Sequence, residues 1–249
     1  MLCLINNIDY LSLQRALPVA SASPLSESKM TITATAGTAT AAISPRRPSW
    51  ADAHYPSASV KTATLYDSMI GGKFVNLYKI KVYENSCAVR MSYALERSGM
   101  KLGVAPSNDG SLQGGDGHTY WIRVNDLIAE LKRRFKGADD ELSRPPLPKK
   151  LLDDAALRKL IGERRKLAQQ LLDTKLNGKN GIVAFQVSGW GTAFGHFTLW
   201  DGTTKKLSYA TGYDDPATDN YYFWMSDYVN MFGAILLTQT VKVFFWELK

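Results

Sequence analysis

Asn85-Ser86-Cys87-Ala88-Val89-Arg90-Met91-Ser92-Tyr93-Ala94-Leu95 is the stretch on which the fold turns. Ala88, Met91, Ala94 and Leu95 recur at the spacing of one helical face. Asn85 or Ser86 stands where the free N–H groups of a first turn need an acceptor, and Ser98-Gly99 supplies a stop. The segment therefore reads as a helix that opens at Cys87, with Cys87 on the apolar face and Arg90 and Arg97 on the opposite one. That position has a chemical consequence. Unpaired N–H groups and the positive end of the helix dipole favour thiolate over thiol, which would lower a free-cysteine pKa of about 8.5 into the range of roughly 3.5 to 7.5. A lone cysteine is otherwise a small core residue, and a histidine partner is what separates the two readings.

The chain has 3 histidines. His54 and His118 lie in polar, turn-rich surroundings and read as surface residues. His196 stands in Gly195-His196-Phe197-Thr198-Leu199-Trp200, which follows Ile182-Val183-Ala184-Phe185-Gln186-Val187 and a glycine-rich connection from Ser188 to Phe194. Both runs are rich in β-branched and aromatic residues, so they read as adjacent antiparallel strands, with Asp201-Gly202 turning the chain back towards Ala210. Phe197 and Leu199 then share one face, and His196, Thr198 and Trp200 the other, where His196 would meet a helix laid across the sheet. A cysteine on a helix start and a histidine on a strand are the parts of a Cys-His nucleophilic site. The glycines at 189, 191 and 195 around Trp190 read as the turn between the strands rather than as a cleft wall.

These two segments together resemble the fourth family of type VI secretion amidase effectors, small papain-like peptidases related to the NlpC-type cell-wall hydrolases. Arg47-Pro48-Ser49-Trp50 with Ile70-Gly71-Gly72-Lys73, Asp116-Gly117 with Tyr120 to Val124, and the closing Phe244-Phe245-Trp246-Glu247-Leu248 agree with the same pattern. The resemblance implies an α+β fold of papain-like, NlpC type, in which the helix bearing the nucleophile packs on an antiparallel sheet. It also implies a Cys-His-Asp triad with the aspartate after the histidine. Asp214, in Tyr213-Asp214-Asp215, is the closest equivalent, with Asp215 next and Asp219 third; Asp201 belongs to the hairpin turn. The stretch here is longer than the family's and lacks its flanking cysteines. In such a triad Cys87 attacks a carbonyl, His196 moves the proton and the aspartate holds the imidazole tautomer. The Cys87 N–H is a natural oxyanion donor.

The activity so implied is hydrolysis of the γ-D-glutamyl to meso-diaminopimelate bond of peptidoglycan stems. The effector would be carried by the type VI machinery into the periplasm of a rival Gram-negative cell, and a cognate immunity protein would protect the producer. No cofactor or metal is called for. Residue chemistry alone stops at acyl transfer by a cysteine, so a transglutaminase-like acyltransferase and a non-catalytic peptidoglycan-binding module stand as alternatives.

Composition agrees without specifying the chemistry. The 249 residues carry 30 Lys and Arg against 23 Asp and Glu, a formal charge of +7 that suits an anionic polymer. No zinc spacing, recognition helix or Arg-rich patch with interleaved aromatics points to nucleic acid, and no run reaches the roughly 20 apolar residues of a membrane span. Two cysteines cannot make a disulfide framework. Residues 1–45, rich in Ala, Ser and Thr, read as a flexible tail before a domain over 46–249. Val124 to Phe135 reads as a helix capped near Asn125. Arg144-Pro145-Pro146-Leu147-Pro148 breaks the chain, and Leu151 to Leu176 carries a helical stripe of leucines with Arg158, Arg164 and Arg165 away from it.

Overall fold

A computed structural model describes residues 47–148, 153–191, 193–210, 212–231 and 234–249. The expected tail over 1–45, with Cys3, lies outside the described residues. The core element is an antiparallel sheet. Strand β4 (Gly181–Ser188) pairs with β5 (Gly195–Asp201), placing Phe185 opposite His196. On its other side β4 pairs with the long β8 (Ala234–Glu247). The order runs β3 (Asp140–Ser143), β8, β4, β5, β6 (Lys206–Leu207), and β7 (Ser226–Met231) also pairs with β8. A separate hairpin joins β1 (Ser111–Gln113) to β2 (Thr119–Trp121).

Both faces of the sheet are covered, which explains why β4 is a continuous apolar run rather than an alternating one. On one face Ile182, Ala184, Phe197, Leu199 and Trp246 pack against helices α1 (Cys87–Arg97) and α2 (Val124–Phe135) through Met91, Leu95, Leu127 and Leu131. On the other, Val183, Phe185, Trp200 and Phe245 pack against the end of α3 (Asp154–Leu171) and the aromatic run Tyr221 to Trp224. The strand alternation thus holds, but the helix carrying Cys87 lies on the Phe197 and Leu199 face, not on the face of His196. Apolar complementarity decides this, because α1 offers Ala88, Met91 and Leu95 to the sheet.

The helix bounds follow the sequence closely. Ser86 occupies the cap position of α1, yet its hydroxyl caps no backbone N–H and instead accepts from Arg90 Nε at 2.9 Å. Gly99, at φ 85°, takes the left-handed turn that ends the helix. α2 begins after Arg123, and Asn125 accepts from Gln186 Nε2 instead of capping it. α3 is capped by Asp153, which accepts from the Ala156 N–H at 2.8 Å, and continues as a π-helical turn over Leu172–Leu176.

Two arginines expected away from the apolar stripes of their helices are buried: Arg90 is 1% exposed and Arg164 5%. Arg164 and the equally buried Arg144 donate to the carbonyls of Pro145, Phe223 and Thr240, so the proline-rich break is tied to α3 and β8 through main-chain acceptors. Among the described residues no helix is long and apolar enough to cross a membrane.

Candidate active site

Cys87 is the first residue of α1, buried, with Sγ 4.0 Å from the carbonyl oxygen of Gly195. The next residue in β5 is His196. The absence of a side chain at 195 is required by the strand pairing: a Cβ there would stand 2.1 Å from the Phe185 carbonyl oxygen and 3.0 Å from Val124. Glycine therefore lets β4, β5 and the start of α2 converge on one point.

The His196 ring is held on its faces and at one edge. It stacks on Tyr222, with centroids 4.3 Å apart and planes within 8°, and on Tyr209 at 5.6 Å. Nε2 lies 2.6 Å from the Tyr209 carbonyl oxygen. A carbonyl only accepts, so Nε2 carries the proton and Nδ1 keeps the lone pair of a neutral imidazole. Trp190, half-buried in the β4–β5 connection, packs edge-on against both Tyr213 and Tyr222 and closes the aromatic wall behind the histidine.

Arg90 connects the start of α1 to the Tyr209 ring, on which His196 stacks. Besides Ser86, it donates to the carbonyls of Pro56, Ser57 and Val60 at 2.9, 2.9 and 2.7 Å, and its guanidinium sits 4.1 Å from the centroid of the Tyr209 ring. Every acceptor that Arg90 has among the described residues is neutral. Tyr55, whose hydroxyl donates to the Phe197 carbonyl at 2.9 Å, completes this wall.

The electrostatics differ from the expectation of a lowered thiol pKa. Burial pushes Cys87 up, and the opposing pull of the Phe197, Ala88 and Cys87 backbone N–H groups and of Arg90 does not overcome it. Burial likewise pushes His196 down to about 4; the Tyr209 carbonyl resists this and Arg90 adds to it. At neutral pH the resting pair is therefore thiol and neutral imidazole, not a preformed ion pair.

The aspartates lie elsewhere. Asp214, Asp215 and Asp219 are exposed, and among the described residues none is hydrogen-bonded to His196. Asp215 accepts from the Ala217 N–H at 2.8 Å, Asp219 lies 4.0 Å from Arg165, and Asp214 acts on Tyr221. Asp201 holds the hairpin turn by accepting from the N–H groups of Thr203 and Thr204. His54 is exposed, whereas His118 is half-buried and bonds Glu96 through Nδ1 at 3.0 Å. Among the described residues no group of three or more His, Cys, Asp or Glu side chains could hold a metal ion.

Four contributors to this site had no assigned part in the sequence reading: Tyr55, Arg90, Tyr209 and Tyr222. The run Tyr221-Tyr222-Phe223-Trp224-Met225 was a readable signal, since five consecutive large apolar residues after a polar turn belong in a core. Tyr209 had no such signal, because the bond it makes to His196 comes from a main-chain carbonyl, which every residue carries.

The profile of the family described as type VI secretion system, amidase effector protein 4 (Tae4), matches residues 83–246. No curated protein matches significantly. Among solved structures, the type VI effector–immunity complex Tae4–Tai4 from Salmonella Typhimurium is 22% identical, with a TM-score of 0.52 over 82% of this chain and 100% of that one. The Tae4–Tai4 complex from Enterobacter cloacae is 24% identical, with a TM-score of 0.46 over 76% of this chain and 89% of that one. The Salmonella likeness agrees with the fold described above.

Proposed function

Because the chain belongs to the type VI secretion system amidase effector 4 family, we propose that it is a cysteine amidase of papain-like, NlpC type that cuts the γ-D-glutamyl to meso-diaminopimelate bond of peptidoglycan stems. Cys87 is the nucleophile and His196 the proton carrier. The observation that supports this most is the placement of the Cys87 thiol against the carbonyl of Gly195, the residue that precedes His196 in β5, where the imidazole keeps Nδ1 free of the bond to Tyr209.

The chemistry follows from these groups. As Sγ attacks the amide carbon, the thiol proton passes to Nδ1, so charge appears only as the bond forms. The Cys87 N–H, in the unpaired first turn of α1, is a donor for the oxyanion. Collapse breaks the C–N bond, Nδ1 returns the proton to the leaving amine and a thioester remains. Water, losing a proton to the same nitrogen, then releases the carboxylate and the thiol. Starting from a neutral pair suits an amide, whose leaving amine needs a proton.

The chain is an amidase effector exported by the type VI system, as its family is. We place its action in the periplasm of the target cell, where the polymer lies, and assign it a cognate immunity protein of its own, because the Salmonella relative is solved as an effector–immunity complex. Residues 46–249 form the amidase domain on this reading. The test is incubation of purified muropeptides with the protein. Hydrolysis adds one water per bond and frees a γ-carboxyl and an amine. A transferase instead leaves the glutamyl group on a new amine, and a binding module leaves the masses unchanged.

A further inference from the structure

The third position of the site, where the family resemblance calls for a carboxylate, is occupied by main chain. Nε2 of His196 reaches the Tyr209 carbonyl at 2.6 Å, while Asp214, Asp215 and Asp219 are exposed and make their described contacts with other groups. The carbonyl is anchored from both directions. The Tyr209 N–H donates to Thr198 Oγ1 at 2.8 Å, and the Tyr209 ring lies under the Arg90 guanidinium, itself fixed to three carbonyls and to Ser86 at the start of α1.

A buried guanidinium with neutral acceptors is costly unless it is needed where it stands. Here it joins the cap residue of the nucleophile helix to the residue that orients the base, and the cation–ring contact at 4.1 Å is the link between them. We propose that the main-chain carbonyl of Tyr209 orients His196 in place of a carboxylate, and that Tyr209 is a positioning residue whose ring is held by Arg90. The neutral acceptor fixes the same tautomer that a carboxylate would, with Nε2 protonated and Nδ1 facing the chemistry. It lends the imidazolium less stabilisation, which fits a site that rests uncharged.

The inference rests on Cys87 and His196 as the catalytic pair, and its main readout needs no substrate. In the full chain labelled with ¹⁵N-histidine, the His196 ring should be neutral at pH 7 with its proton on Nε2. That signal should persist in Asp214→Ala, Asp215→Ala and Asp219→Ala, each keeping kcat/KM within about threefold, as for exposed turn residues. Tyr209→Ala should mix the two tautomers and lower kcat by roughly 10- to 100-fold with little change in KM. Tyr209→Phe, which keeps the ring under Arg90, should restore both. A proton on Nδ1 in the wild type would overturn the proposal. So would loss of the Nε2 signal with a drop of about 10⁴-fold in any aspartate variant, or a Tyr209→Ala variant with wild-type tautomer and kcat. Failure of hydrolysis in every form, with the tautomer as expected, would count against the amidase reading alone.

Discussion

At the scale of single residues, burial outweighs the helix terminus. Cys87 sits where backbone N–H groups favour a thiolate, yet its thiol is pushed up because almost no water reaches it. Alkylation of Cys87 by iodoacetamide should accordingly be slow at neutral pH and accelerate as pH rises into and past the ordinary thiol range; fast labelling at pH 6 would show a preformed thiolate. His196 gives the complementary effect on stability. The unfolded chain takes up a proton near pH 6.5, whereas the folded site resists until about 4. The stabilisation is therefore complete above pH 6.5 and is lost as pH falls towards 4, by roughly 3 kcal/mol. Thermal unfolding followed from pH 7 to 4 should show this acid limb, and it should be shallower in His196→Gln. An equal slope in both would mean that the imidazole is solvated. The positions of Cys87 at a helix start and of His196 in a strand were legible in the sequence because these are local signals. The surroundings of Arg90 were not, since helical periodicity sets it off the apolar stripe and does not reveal that Pro56, Ser57 and Val60 cover that side with carbonyls.

At the scale of elements, the readable parts were those with strong periodicity. α1 and α2 appear at their expected bounds, and β4 and β5 pair as expected. β3, β7 and most of β8 carried weaker signals, because β8 takes partners on both edges and its middle mixes Thr, Gln and Lys with the aliphatics. The face of the sheet chosen by α1 was also beyond local pattern, since both faces of β5 are buried. Gly195→Ala tests the convergence of these elements. Its Cβ meets the Phe185 backbone at the shortest distance, so β5 must shift from β4 at a cost of about 1–3 kcal/mol or more. Denaturant unfolding should show that loss, and hydrolysis should fall with it as His196 moves. A variant with unchanged midpoint and rate would mean that the strands have slack at this point.

At the scale of the whole molecule, the charge of +7 is compatible with a protein that acts on an anionic polymer. Toxicity should then follow compartment. Expression in the cytosol of a Gram-negative host should be tolerated, while the same chain given a periplasmic export signal should lyse the cells; cytosolic killing that survives Cys87→Ala would point to a different target. The most direct test of the cysteine amidase itself is mass spectrometry of muropeptides after incubation with wild type and with Cys87→Ala, the latter shown to be folded by its unfolding transition. Wild type should add one water at the D-glutamyl to diaminopimelate bond, and Cys87→Ala should leave every mass unchanged. The same cleavage by Cys87→Ala, or no cleavage of this bond by wild type, would contradict the account.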